Sequence, residues 1–450
     1  MALYKPTRRT LLKSTALAAG ASALGFPYVK TGHSAGRVTM GLWDHWVPGA
    51  NDVLRRIAEE WGEANNVEVV IDFITSIGDQ HIITAAAEAR ARTGHDVMVH
   101  PVWMPAVHKD ILEPLDDIVA ELESRYGPYN DQAAYLGRHD DVWRTIIAPT
   151  GSHTYPLESR IDLFREHAGI DLVELFPAGE RDQARIDAEW TYESMLEAAK
   201  KLHAAGHPVG HPIGQTSDSQ DWLGPLFLAF GAQAMTADGD IVIDSDATRD
   251  ALEYVRELAQ YMPEDVYAWD DAANNRWLIS GRGSSIFNPP SAWTVAKRDA
   301  PEVAEQVWHH DVPAGPAGRY RGSLPFHWGV WEFAENKSAA KDILLHLADK
   351  EQVSELLWAS QGYDMPLQDS YYDHQVWVEE SPPDGTLYNY PVRGNEELIV
   401  AGYPAPPQVG ARIYNEAMFA VLTARVTQGG ESLDDAIAWA EDELAGYMRG

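Results

Sequence analysis

The alternation of apolar and polar positions marks out elements in the first hundred residues. Residues 37–43 (Arg-Val-Thr-Met-Gly-Leu-Trp) read as a strand. Residues 52–65 place Val53, Leu54, Ile57, Ala58 and Trp61 on one helical face. Asn65-Asn66 should stop that helix, and 67–74 is a second β-branched strand. An Ala-rich helix over 80–92 ends at Gly94, and 96–99 is a short buried strand. This β-α-β-α-β order predicts a parallel sheet with right-handed crossovers. Ligands of such sheets bind beyond the carboxyl ends of the strands. Here those ends carry Trp43-Asp44-His45-Trp46, Thr75 to Asp79, and His100-Pro101-Val102-Trp103.

Further along, a helix runs from about Leu112 to Arg125, and 142–149 is a strand leading into Thr150-Gly151-Ser152-His153-Thr154-Tyr155-Pro156. A second α/β pattern follows. It has helices over 190–205 and 246–262, a polar loop over 213–222 and an apolar helix over 223–230. Residues 277–287 read as a helix end, a Gly-Arg-Gly turn and a strand. Residues 326–333 form an aromatic strand, 338–360 are helical, and 410–448 form an acidic helical tail.

The first 35 residues have a different character. Lys5, Arg8 and Arg9 precede a weakly apolar stretch, and His33-Ser34-Ala35 offers a small-residue cleavage site. That is the layout of an export signal. Thr7-Arg8-Arg9-Thr10-Leu11-Leu12-Lys13 resembles a twin-arginine signal; the alternative is an ordinary secretory signal that contains Arg-Arg. The mature chain is expected to start near Gly36.

Charge and composition then remove whole classes of function. With 68 acidic and 35 basic residues the formal charge is −33, which argues against nucleic-acid binding and against docking on anionic membranes. With no cysteine, there is no disulfide, thiol nucleophile, iron–sulfur cluster or lipidated anchor. The expected location is therefore free in a Gram-negative periplasm.

Candidate chemistry is sparse. His309-His310-Asp311 and the His207/His211 pair lack the helical spacing of a zinc hydrolase and are expected at the surface. Ser284-Ser285 has no evident base, and there is no nucleophile elbow. Asp218, Asp221 and Asp44 could be paired acids, but chance pairs abound among 68 carboxylates. No metal or cofactor is expected. The 16 tryptophans carry more information. Trp43, Trp46, Trp103, Trp222, Trp293 and Trp328 fall in expected loops or strand ends, whereas Trp61, Trp358 and Trp439 lie on helical faces and read as core. Indole faces stack on the apolar C–H faces of pyranose rings, so this distribution suggests a carbohydrate cleft.

Four stretches together resemble the bacterial extracellular solute-binding proteins of carbohydrate ABC transporters, the group that includes maltose-binding protein. They are Trp43 with 54–61 and 67–74; the helix Thr191-Tyr192-Glu193-Ser194 to Leu202; Ile286-Phe287-Asn288-Pro289-Pro290-Ser291-Ala292-Trp293; and 340–366 with Glu351-Gln352, Gly362 and Pro366. The chain departs from the family at Glu158-Ser159-Arg160-Ile161-Asp162-Leu163-Phe164, where many relatives carry Tyr-Tyr-Asn. His153 and Tyr155 are the candidates to substitute.

The resemblance implies an α/β clamshell of two lobes with three hinge crossovers. Lobe one is expected at 36–150 and 327–365, and lobe two at 151–326 and 366–450. Implied partners are a carbohydrate held between the lobes and the permease of an ABC importer, with the protein a monomer. The rival reading is an exported glycoside hydrolase. The expected ligand-binding residues are Trp43, His45, Trp46, His100 and Trp103 from the first strand ends, with His327 and Trp328 beside the second crossover. From the facing lobe they are His153, Tyr155, Gln215, Asp218, Trp222, Asn288 and Trp293.

Overall fold

The computed structural model describes residues 36–366, 368–371, 373–380, 390 and 394–449. The expected signal peptide, 1–35, lies outside the described residues. The chain opens with β1 (Gly36–Trp43), α1 (Ala50–Asn65), β2 (Val67–Ile74), α2 (Gln80–Ala91) and β3 (Val97–Pro101). β1 pairs in parallel with both β2 and β3. Helix α1 buries Leu54, Ile57, Ala58 and Trp61, the stripe its periodicity marks, and ends where Asn66 turns left-handed at φ 57°.

Next come β4 (Ile146–Ile147), β5 (His153–Tyr155), β6 (Leu157–Arg160) and α3 (Ser217–Phe230). They are followed by β7 (Ser285–Phe287), α4 (Ser291–Asp299), β8 (Val307–His310), β9 (Tyr320–Leu324), β10 (Phe326–Val330), β11 (Glu397–Ile399) and α5 (Pro407–Asn415). The strands assemble into one five-stranded sheet, order β2-β1-β3-β10-β4, and two three-stranded sheets, β8-β6-β7 and β11-β9-β5. β10 runs antiparallel to β3, with His327 opposite His100 and Trp328 opposite Val99. The chain thus leaves the large sheet after β4, enters another at β5, and returns between β9 and β10.

Helix α3 corrects the expected loop over 213–222. Thr216 caps it, its side chain accepting from the Ser219 N–H at 3.3 Å. The polar run Ser217–Asp221 is the first turn of a helix rather than a loop, because a capping hydroxyl satisfies a free N–H there. The N-terminal half of α3 is fixed by backbone proximity. A Cβ on Gly322 of β9 would sit 1.8 Å from the Asp221 carbonyl oxygen, so only glycine lets strand and helix lie this close.

Three apolar clusters fill the interior. One surrounds the large sheet and takes in Val400, Ala401, Ala411 and Tyr414. A second gathers α3 with Trp190, Trp222, Phe287 and the C-terminal helices. A third joins Leu278, Ile286, Trp293 and Val307 to Val353, Leu357 and Trp377. The chain's late segments therefore bridge the two halves. Among the described residues no helix is long and apolar enough to cross a membrane.

Candidate functional site

A cavity of about 260 Å³ lies where the sheets meet. One wall comes from the ends of β1, β2 and β3: Trp43, Trp46, Ser76, Asp79, His81, Ile82, Ile83, Pro101 and Val102. The other comes from Tyr155, the start of α3 (Gln215 to Asp218), Asp271, Asn288, Pro289 and Ser291. The crossover segments and the region of α5 add His153, Leu324, Phe326, Tyr363, Tyr414, Asn415 and Ala417.

The aromatic side is pre-set. The Trp43 indole N–H donates to Ser76 Oγ at 3.2 Å. Its ring lies 5.1 Å from Phe326 and 6.1 Å from Tyr363, centroid to centroid. Trp46 is half-buried at the rim. Backbone strain gathers around the cavity. Asp79, Val102 and Ala417 all have φ near 50°, a region a β-branched residue such as Val102 enters only at a cost. The Val102 N–H donates to the Pro325 carbonyl at 2.8 Å, which holds that geometry against the crossover.

The polar side is a connected network. The His153 Nδ1 lies 2.6 Å from the Gly151 carbonyl, so that nitrogen carries the proton, and Nε2 is 3.2 Å from the Tyr155 hydroxyl. Tyr155 donates to Asp218 Oδ1 at 3.0 Å, and Asn274 donates to Asp218 Oδ2 at 2.7 Å. Asn288 accepts from Asn274 and donates to Ser291 Oγ at 3.2 Å. One layer behind, Tyr414 donates to Asp221 at 2.7 Å.

Burial, then the neighbouring Asp271 charge, pushes the Asp218 carboxyl well above the usual carboxylate range. Asp271 is raised to about 6 by burial and by the Asp79 charge. Burial lowers His81 and His153 to about 4, so both imidazoles are uncharged at neutral pH. Among the described residues no three His, Asp or Glu side chains gather closely enough to hold a metal ion.

Of the residues expected from sequence, Trp43, Trp46, His153, Tyr155, Gln215, Asp218 and Asn288 line this cavity. The other seven lie behind its walls. His45 accepts from the Val47 N–H at 2.9 Å and donates to Asp364 at 3.2 Å. Asp364 also takes Thr150 Oγ1 at 2.9 Å and the Gly151 N–H at 2.7 Å, so His45 pins crossovers together instead of facing a ligand. His100 sits 3.3 Å from His108 under the Trp331 ring. The Trp103 indole donates to the Ala401 carbonyl at 2.9 Å. Trp222 donates to the Pro212 carbonyl at 2.7 Å and stacks on Phe287. Trp293 is 1 % exposed, with Lys297 Nζ 3.9 Å above its ring. His327 meets Thr145 Oγ1 at 3.0 Å, and Trp328 is buried in the large sheet's core.

Two further expectations are corrected. His211, His309 and His310 are fully buried rather than at the surface. Trp358, read as core, is 39 % exposed. The chief residues that sequence reasoning passed over are Asp79, His81, Asp271, Phe326, Tyr363 and Tyr414. The Gly78-Asp79 pair between strand and helix, and the Asp270-Asp271 doublet after Trp269, were the available signals.

The geometry has clear counterparts among known proteins. A model of the bacterial extracellular solute-binding protein family matches residues 48–353. The arabinooligosaccharide-binding protein of Halalkalibacterium halodurans is 22 % identical over 270 residues, 52 % of this chain and 57 % of that protein. The chain thus matches little more than half the length of that curated relative. Among solved structures, maltose-bound MalE3 of T. maritima superposes with a TM-score of 0.71 at 19 % identity, covering 91 % of this chain and 99 % of that one. A sugar transporter from Arthrobacter chlorophenolicus A6 with bound laminaribiose gives 0.71 at 15 % identity, covering 92 % and 99 %. The GacH receptor of Streptomyces glaucescens gives 0.70 at 17 % identity, covering 93 % and 99 %. At such identities the likeness carries the fold alone: two α/β lobes of the periplasmic-binding-protein type. With that fold, a cavity between its sheets and a family match spanning residues 48–353, the chain belongs to the bacterial extracellular solute-binding proteins.

Proposed function

We propose that this protein is the exported substrate-binding component of an ABC importer. It takes a sugar, oligosaccharide or related polyol between its lobes and delivers it to a membrane permease. The observation that carries the reading is the two-sided cavity. Aromatic faces at Trp43, Trp46 and Phe326 stand opposite hydrogen-bonding groups at Gln215, Asp218, Asn288 and Ser291. That pairing suits a ring with apolar C–H faces and a polar rim. The arabinooligosaccharide-binding relative and the maltose- and laminaribiose-bound neighbours support the same ligand class.

In this reading the lobes comprise 36–150 with 327–365 and 151–326 with 366–450, and they close on ligand by rotation at three crossovers. The protein acts as a monomer in the periplasm, reached by the twin-arginine route, and turns nothing over. Calorimetric titration of the purified protein with a glycan panel tests this. The expected result is stoichiometric binding with the glycan recovered intact and a smaller radius of gyration in small-angle scattering. Glycan cleavage, or a scattering profile unchanged at saturation, overturns it.

A further inference from the structure

Charge in the cavity is one-sided. Asp79, Asp218 and Asp271 line it, and no Lys or Arg does. Its two histidines are neutral at pH 7 because they are buried. Among the described residues none of the three aspartates forms an ion pair, although ion pairs run along the rest of the chain from Arg37–Glu68 to Arg425–Glu431. Asp271 has partial relief: Ser217 Oγ donates to it at 3.2 Å at the start of α3, where the helix end supplies roughly half a positive charge. That does not balance three carboxyls. Asp79 comes from the β2–α2 loop and Asp271 from the opposite wall, and the two repel. Closure of the kind proposed above would bring these like charges closer.

Two more groups show that the site is built for an occupant. The Tyr363 hydroxyl and His81 Nδ1 are buried, with the residues 0 % and 5 % exposed, line the cavity and have no hydrogen-bond partner among the described residues. Buried polar atoms left unpaired cost stability unless a ligand completes them. Around them stand the faces of Trp43, Trp46 and Phe326, surfaces that attract cations as well as sugar rings.

A neutral sugar can donate hydroxyls to these carboxyls but supplies no charge to balance Asp79 and Asp271, nor to offset the burial that disfavours ionisation of Asp218, when the lobes close. An ammonium group removes that penalty and relieves the repulsion between Asp79 and Asp271. We propose that the ligand is a cationic saccharide, an amino sugar or aminated oligosaccharide. Its protonated amine lies among Asp218, Asp271 and Asp79 while its ring stacks on the aromatic wall. This inference rests on the carbohydrate reading above and narrows it to a charged class.

The test uses matched sugars that differ at one substituent. Glucose, glucosamine and N-acetylglucosamine, with their disaccharides, are titrated into the full mature protein beside maltose, laminaribiose and arabinobiose. The expected result is that an amine form binds at least about tenfold tighter than its hydroxyl and N-acetyl counterparts, about 1.4 kcal/mol. Asp79→Asn should shrink that preference several-fold and leave hydroxyl-sugar affinity nearly unchanged, whereas Asp218→Asn should shrink it and weaken the hydroxyl sugars as well. Melting curves report that each variant is folded, and Asp79, exposed at the rim, is the safer of the two. If hydroxyl sugars bind and the amine forms bind no tighter, the cationic assignment is overturned and the carbohydrate reading stands. If folded Asp79→Asn and Asp218→Asn both keep the full amine preference, the assigned carboxylates are wrong. If no sugar of either kind binds, the carbohydrate reading falls and takes this inference with it.

Discussion

Replacing Asp271 with Asn should stabilise the protein at neutral pH. The Asp271 carboxyl is raised from 3.8 to about 6, first by burial and then by the Asp79 charge. In the unfolded chain the same group titrates near about 4. Between about pH 4 and about pH 6 the folded protein therefore holds a proton that the unfolded chain has released, and stability falls as pH rises. The penalty is absent below the unfolded value and complete above the folded one. At about 1.4 kcal/mol for each tenfold change in proton affinity, it amounts to about 3 kcal/mol. Partial access to solvent at the cavity rim screens some of this, leaving about 2 kcal/mol. Asn keeps an oxygen to accept from Ser217 and carries no charge. Over the roughly 260 residues of 151–326 and 366–450 the gain corresponds to a rise in Tm of about 4–6 °C. The assay is thermal unfolding of both proteins, followed by tryptophan fluorescence, across pH 4 to 7. The variant should match wild type at the acid end and pull ahead above it. Distant titrating groups are shared and cancel in the difference, and Asp218, relieved of the Asp271 charge, shifts in the same stabilising direction. A variant that melts lower than wild type at pH 7 would refute the reasoning, because the carboxylate would then be an anchor for the N-terminus of α3.

Trp293→Ala should lower stability by about 3–5 kcal/mol through an interior cavity and leave the ligand affinity of the folded fraction unchanged, as denaturant melts and calorimetry on one preparation can check. Trp46→Ala, at the half-buried rim, should do the reverse, weakening ligand binding by about 1–3 kcal/mol with little change in Tm. Gly322→Ala forces a methyl group to 1.8 Å from the Asp221 carbonyl. It should reduce the yield of soluble folded protein sharply, measured by expression and circular dichroism, because strand and helix must move apart behind Asp218. Asp364→Asn should lower Tm, since it removes the charge that His45, Thr150 and Gly151 all address.

The first lobe's elements were legible because their faces alternate cleanly. The Leu54, Ile57, Trp61 stripe and the β-branched runs of β1 to β3 can form little else. Site residues at the mouths of those strands were half legible. Trp43 and Trp46 bracket a turn, yet His45 between them turns inward to Asp364, a partner 319 residues away that no local pattern discloses. Trp222 was misplaced for a similar reason. The run before it looks like a polar loop, but Thr216 makes it a helix and carries the indole one turn deeper than Asp218. Phe326 lines the cavity while Trp328, two residues on, lies in the core. Depth along a strand is set by its pairing with β3, and composition does not encode it. Asp79 and Asp271 escaped notice because each is an ordinary acid locally. Their chemistry exists only once opposite walls face one another.

The insertion of β10 between β3 and β4 also governs how the chain is made. β3, with all five of its residues buried, has its neighbour on one side supplied by residues 326–330. Synthesis must proceed about 225 residues beyond Pro101 before that neighbour emerges, roughly 10–45 s at ordinary elongation rates of about 5–20 residues per second. Until then Val97-Met98-Val99 lacks the strand it pairs with in the folded sheet. An unpaired edge templates pairing with other chains. Codon changes that slow translation between residues 101 and 326 should lengthen the vulnerable period and lower the yield of native protein without altering a single amino acid.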